Sequence, residues 1–110
     1  MAAKFEVKKS VNNQYYFSLL AANGETILSG ETYDSKASAQ GCAASVQRNA
    51  ANDSRFERQT TGSGEAYFVL RAENGEQIGR SETYSSEAAM EKGIAAVKND
   101  APGAQISDLT

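Results

Sequence analysis

The sequence contains no histidine, a single cysteine and no long apolar run. Without histidine there is no imidazole metal ligand, no histidine-dependent catalytic triad and no general base whose ordinary pKa lies near neutrality. Cys42 stands alone, so neither an intrachain disulfide nor a cysteine-based zinc site can be completed. The longest apolar stretches are a few residues, far short of the ~20 that a membrane-spanning helix needs. The N-terminal Met-Ala-Ala-Lys-Phe-Glu-Val-Lys-Lys carries charges where a signal peptide requires its apolar segment, which reads as a cytoplasmic protein. A basic surplus is missing too. The net charge of −3 argues against a dedicated nucleic-acid binder. No glycine-rich run joins a strand to a helix, so phosphate loops are also excluded.

What is present is an ordinary globular composition, 40% hydrophobic and 23% charged, over 110 residues. A chain of this size buries roughly two-thirds of its unfolded surface and fits one domain, residues 1–110.

That domain is internally duplicated. At an offset of 51 residues, Phe5-Glu6 falls on Phe56-Glu57, and Tyr16-Phe17-Ser18-Leu19 on Tyr67-Phe68-Val69-Leu70. Ala21-Ala22-Asn23-Gly24-Glu25-Thr26-Ile27 falls on Ala72-Glu73-Asn74-Gly75-Glu76-Gln77-Ile78, and Glu31-Thr32-Tyr33 on Glu82-Thr83-Tyr84. The register runs without a gap, which places a first repeat at residues 4–53 and a second at 54–110.

Each repeat carries the same local signals. Lys4 to Ser10 alternates as a strand with Phe5 and Val7 on one face. A second strand spans Tyr15 to Ala21, repeated at Ala66 to Ala72. Phe17, Leu19 and Ala21, and their counterparts Phe68, Leu70 and Ala72, form the apolar face. Tyr16, Ser18 and Leu20 share the opposite face, as do Tyr67, Val69 and Arg71.

Asn23-Gly24 and Asn74-Gly75 are hairpin turns. A two-residue type I′ turn sets Ile27 opposite Leu20 and Ile78 opposite Arg71, on the outer face. A three-residue loop with a left-handed glycine sets Ile27 opposite Leu19 and Ile78 opposite Leu70. Only the second buries both isoleucines and it is preferred, although it leaves Arg80 near the core face at the strand's end.

A helix closes each repeat. Asp34 or Ser35, and Ser85 or Ser86, are the N-cap residues. Met90, Ile94, Val97 and Ala101 form one apolar stripe, repeated as Ala39, Ala43, Val46 and Ala50, and each stripe needs a sheet to cover. A strand-like piece follows each helix, at Arg55 to Gln59 and at Gln105 to Leu109. These signals give an α+β fold, one mainly antiparallel sheet with two helices on one face.

Three motifs carry a resemblance: Ala21-x-Asn23-Gly24-x-x-Ile27, Glu31-x-Tyr33-x-Ser35-x-Ala37 and Val46-x-x-Asn49-Ala50, with their second-repeat counterparts. In these the sequence resembles the YegP-like bacterial proteins over nearly its whole length, departing at Asp100, where the first repeat has Asn49. The resemblance implies two tandem β-β-β-α-β units in a single sheet, with the C-terminal strands exchanged between units. The motifs are structural punctuation and carry no chemistry. The same arrangement would let Arg55 to Gln59 serve as both the last strand of one unit and the first of the next. Gln105 to Leu109 would then pair with Lys4 to Lys9.

Three features are candidates for function. Cys42 flanks the buried stripe of the first helix with nothing to activate it, and reads as a packing residue. Glu31 and Glu82 could form a carboxylate pair across a pseudo-twofold axis, but also suit the positive ends of the two helices. Tyr16, Leu20, Tyr67, Val69 and Arg71 on the outer face are the candidate binding residues, since exposed aromatics beside an arginine can stack bases or grip a peptide. The reading is therefore a non-enzymatic binding or interaction module using the open sheet face. It needs no cofactor, takes a protein or small-molecule partner, and is monomeric in preference to homodimeric. A self-associating structural protein and a carboxylate-dependent enzyme are the alternatives.

Overall fold

A computed structural model describes residues 3–110. Strands β1 (Lys4–Lys9), β2 (Tyr15–Leu20) and β3 (Thr26–Ser29) lead into helix α1 (Lys36–Asn49). A short 3-10 turn (Asp53–Arg55) precedes β4 (Phe56–Thr60), β5 (Ala66–Arg71), β6 (Gln77–Arg80) and helix α2 (Glu87–Asp100). A second 3-10 turn (Ala101–Gly103) leads to β7 (Gln105–Asp108).

The seven strands form one sheet in the order β4-β5-β6-β3-β2-β1-β7. Every pairing is antiparallel except that of β1 with β7, which run parallel with Phe5 opposite Ile106. The strand after α2 thus sits in the half of the sheet begun by the first repeat. The strand after α1, β4, sits beside β5 in the other half. The two halves meet at β3 and β6, where the only paired residues are Ser29 and Arg80. A pseudo-twofold axis passes through this junction.

Alternation in the strands and the 3.6-residue period in the helices converge on one core. Phe5, Val7, Phe17, Leu19, Phe68 and Leu70 are fully buried, and the stripes Ala39-Ala43-Val46-Ala50 and Met90-Ile94-Val97-Ala101 are at most 3% exposed. Burying each of the large side chains contributes about 1.5–3 kcal/mol. Phe5 meets Phe17 edge-on at 5.8 Å between ring centres, and Phe56 meets Phe68 at a tilt at 5.6 Å. Ser35 and Ser86 are the N-caps, accepting from the backbone N–H groups of Ser38 and Ala89 at 3.1 Å each.

The hairpin loops have three residues. Ala21 N–H donates to Glu25 O and Gly24 N–H to Ala21 O, and the second repeat copies both bonds. Gly24 and Gly75 take φ of 87° and 85°, a left-handed backbone that glycine adopts without steric cost. The register beyond the loop differs from the expected one. A bulge lets Leu20 pair with Thr26 and Leu19 with Leu28, while Arg71 pairs with Gln77 and Leu70 with Gly79. Leu28 and Gly79, rather than Ile27 and Ile78, therefore stand opposite the core leucines. The extra residue also moves Arg80 off the core face. Both isoleucines still pack against the core, Ile78 at 6% exposure and Ile27 partly buried.

Candidate functional site

Both helices cover one face of the sheet, and the opposite face carries the candidate binding residues. The side chains there follow from alternation about the buried ones. Around Tyr67, they are already engaged with one another. The Tyr67 hydroxyl donates to Gln59 Oε1 at 2.5 Å, and the Arg80 guanidinium lies 4.5 Å above the Tyr67 ring. Arg71 donates from Nε to Glu57 Oε2 at 2.9 Å and from Nη1 to Gly75 O at 3.0 Å. The Arg71 hydrogen bond holds the Glu57 carboxyl below its ordinary pKa.

Around Tyr16, the pattern is looser. Tyr16 and Leu20 are half-buried, lying across from Lys8 and Lys4 on β1. Glu6 sits between those two lysines, 3.3 Å from each ammonium. Burial raises the Glu6 pKa, but the lysines outweigh it and the carboxyl falls below its ordinary value. Taken together the outer face bears the cations Lys4, Lys8, Arg71 and Arg80 against the carboxylates Glu6 and Glu57. Glu31 and Glu82 border the same face beside Gln77 and Arg80, so charges of both signs lie on it.

Two expectations about this face need correction. Val69 is 3% exposed and Ser18 6% exposed, so neither is presented to solvent. Val69 is flanked on its own face by Arg80 and Glu57, its register partners on the two neighbouring strands. Sequence reasoning also missed three residues of the face, Glu57, Gln59 and Arg80. Alternation from Phe56 would have found the first two. Arg80 depended on the bulge.

Of the remaining candidates, Cys42 lies on the helix side of the sheet, whereas Glu31 and Glu82 border the outer face beside Arg80. The Cys42 thiol is 7% exposed, with the Tyr33 hydroxyl donating to Sγ at 3.1 Å and Sγ donating to Ile78 O at 3.3 Å. Burial pushes its pKa up, and burial together with the Cys42 contact raises that of Tyr33. At the equivalent place in the second repeat, the Tyr84 hydroxyl occupies the room that a side chain on Gly93 would need, and its ring stacks on Phe68 at 6.4 Å. Both tyrosines therefore pack over their helices, and the thiol fills what the glycine leaves open.

Glu31 and Glu82 do come together, at a hollow of about 340 Å³ on the pseudo-twofold axis lined also by Gln77, Arg80 and Ser81. Gln77 donates to Glu31 Oε1 at 2.8 Å, and both glutamates are exposed. Among the described residues no helix is long and apolar enough to cross a membrane.

Comparison with known proteins agrees with this architecture. The family model of the domain of unknown function DUF1508 matches the chain twice, over residues 10–57 and 62–108. A UPF0339 protein of Bordetella pertussis is 52% identical over 104 residues, 94% of each chain. The UPF0339 protein YegP of Yersinia pestis is 49% identical over 106 residues, covering 96% of this chain and 95% of its own. The solution NMR structure of YegP from E. coli, a protein of unknown function, superimposes with a TM-score of 0.93 at 44% identity, covering all of this chain and 95% of that one.

Proposed function

The chain belongs to the YegP-like UPF0339 family, and on that footing we propose that it is a small binding module, without catalytic activity, that engages its partner through the sheet face away from the helices. One observation carries the reading: among the described residues no element covers that face, although Tyr16, Leu20, Tyr67 and Arg71 lie on it half-buried beside Lys4, Lys8 and Arg80. Rigid tyrosines presented from strands bind at small entropic cost, because few torsions are frozen. The protein acts as a monomer in the cytoplasm, its partner a protein or a small molecule.

The hollow between Glu31 and Glu82 favours carboxylate chemistry as a second reading. A general acid needs a carboxyl withdrawn from water so that it stays protonated near neutrality. Both glutamates are exposed, so the binding reading is preferred.

The test is chemical-shift mapping of the 15N-labelled protein with partners recovered from bacterial extract. Perturbations clustered on Tyr16, Leu20, Tyr67 and Arg71, lost in Tyr16→Ala and Tyr67→Ala variants, support the proposal. A cluster on the helices near Lys36 or Lys92 rejects it. A cluster on Glu31 and Glu82, with turnover of the bound molecule, selects the second reading.

A further inference from the structure

The pseudo-twofold relation of the sheet fails at its two edges. β7 lies along the outer side of β1, whereas β4, the counterpart of β1, has β5 on one side and no strand on the other among the described residues. A free strand edge displays unpaired N–H and C=O groups, and the partner always present at matching concentration is another copy of the same chain. The two counterpart strands differ where this matters. At an offset of 51 residues Phe5 matches Phe56, but Val7 matches Arg58.

Val7, shielded by β7, is fully buried. Arg58 points to the same helix-bearing side of the sheet, its side chain 36% exposed. Its Nε donates to Glu91 Oε2 at 2.6 Å, and its Nη2 donates to Glu91 Oε1 and to Asp53 Oδ1 at 3.1 Å each. Asp53 is engaged by Lys98 as well. The guanidinium is therefore fixed by carboxylates from α2 and from the turn before β4.

We infer that Arg58, held by Glu91 and Asp53, closes the β4 edge of the sheet against pairing with β4 of a second copy of this chain. Arg58 is the central residue of β4, so antiparallel pairing of β4 with its copy about a twofold axis at the strand's centre sets Arg58 against Arg58. Such pairing draws two guanidiniums out of water side by side, each with the carboxylates that hold it, and that desolvation is costly. A valine at this position removes the obstruction, leaving an edge as apolar as that of β1 without β7.

The test compares the unaltered protein with Arg58→Val by light-scattering mass over a concentration series, and by amide hydrogen exchange. The expected result is the mass of one copy for the unaltered chain at every concentration. For Arg58→Val the mass rises toward two copies, with exchange slowed at Glu57 to Thr60 and unchanged in β7. A folded Arg58→Val protein that keeps the mass of one copy overturns the inference. So does association that leaves exchange in β4 unslowed, or an unaltered protein that already pairs through β4. Should Arg58→Val fail to fold, Arg58→Thr, which is uncharged and favours strands, decides by the same readings.

Discussion

Leu28 fills the space that a side chain at position 79 would need: a Cβ placed on Gly79 would come within 2.6 Å of Leu28 Cδ2. The two residues occupy equivalent positions in the two repeats and sit on β3 and β6, the neighbours at the pseudo-twofold axis. One large and one absent side chain meet where two large ones could not. Leu28 is fully buried, so Leu28→Ala should cost about 2–5 kcal/mol, and Gly79→Ala about 1–3 kcal/mol through overpacking. The double variant Leu28→Ala/Gly79→Ala should be more stable than the sum of the single losses implies. Urea unfolding of the four proteins gives the coupling, and strict additivity would show that the two positions do not share space.

Removing the residues after Pro102 should uncover the edge of β1. Phe5 and Val7 lose the strand beside them, and Ala104 and Ile106 leave the core. The expected loss is several kcal/mol, at roughly 25 cal/mol per Å² of apolar surface uncovered. Thermal unfolding measures it, and an unchanged midpoint would show that β7 contributes no stability.

Cys42 should be chemically quiet. Its thiol is buried against Ile78 O and the Tyr33 hydroxyl, and no cation approaches to hold a thiolate. Native protein should react with a thiol reagent far more slowly than the urea-unfolded chain. Equal rates for the two forms would place the thiol at the surface.

Stability should fall at both ends of the pH range, for different groups. Glu91 and Asp53 are held below their ordinary values of 4.5 and 3.8, chiefly by hydrogen bonds from Arg58 to Glu91 and from Lys98 and Arg58 to Asp53. A depressed carboxyl stabilises the fold above its unfolded pKa, and that contribution disappears as pH falls through the folded value. Loss should therefore begin below about pH 4.5 and continue well beneath it. Cys42 behaves in the opposite sense, because burial raises it from 9.0. Its contribution is complete below that value and fades as pH rises through the folded pKa, with Tyr33, raised from 10.0, following at higher pH. Cys42→Ala should flatten the alkaline limb and leave the acid limb untouched, as read from midpoints of thermal unfolding against pH.

The strands, caps and helix stripes were legible because each rests on a short-range period: two for Phe5 and Val7, 3.6 for Met90, Ile94 and Val97. The three-residue loops were legible from the need to bury Ile27 and Ile78. The bulge was not, since one unpaired residue between Thr26 and Leu28 leaves no mark in composition. Its consequence was larger than its size. Differences between the repeats at Leu28 and Gly79, and at Ser18 and Val69, resemble drift on a free surface. All four positions are nevertheless enclosed. Leu28 and Gly79 differ because equivalent positions beside the axis compete for the same room. Of the candidate face, alternation placed Tyr16, Leu20, Tyr67 and Arg71, whereas Arg80 over Tyr67 needed knowledge of which strands are neighbours.

The parallel union of β1 with β7 also sets an order on folding. Phe5 and Ile106, register partners, belong to the first and last strands of the described chain, so their contact closes the longest loop the sheet contains. The hairpins β1–β2 and β4–β5 can form locally and early, since their loops are short. During synthesis β1 waits with a bare edge and an incompletely covered Phe5 until the final strand has been made. That interval is when the chain is most exposed to association with its own kind.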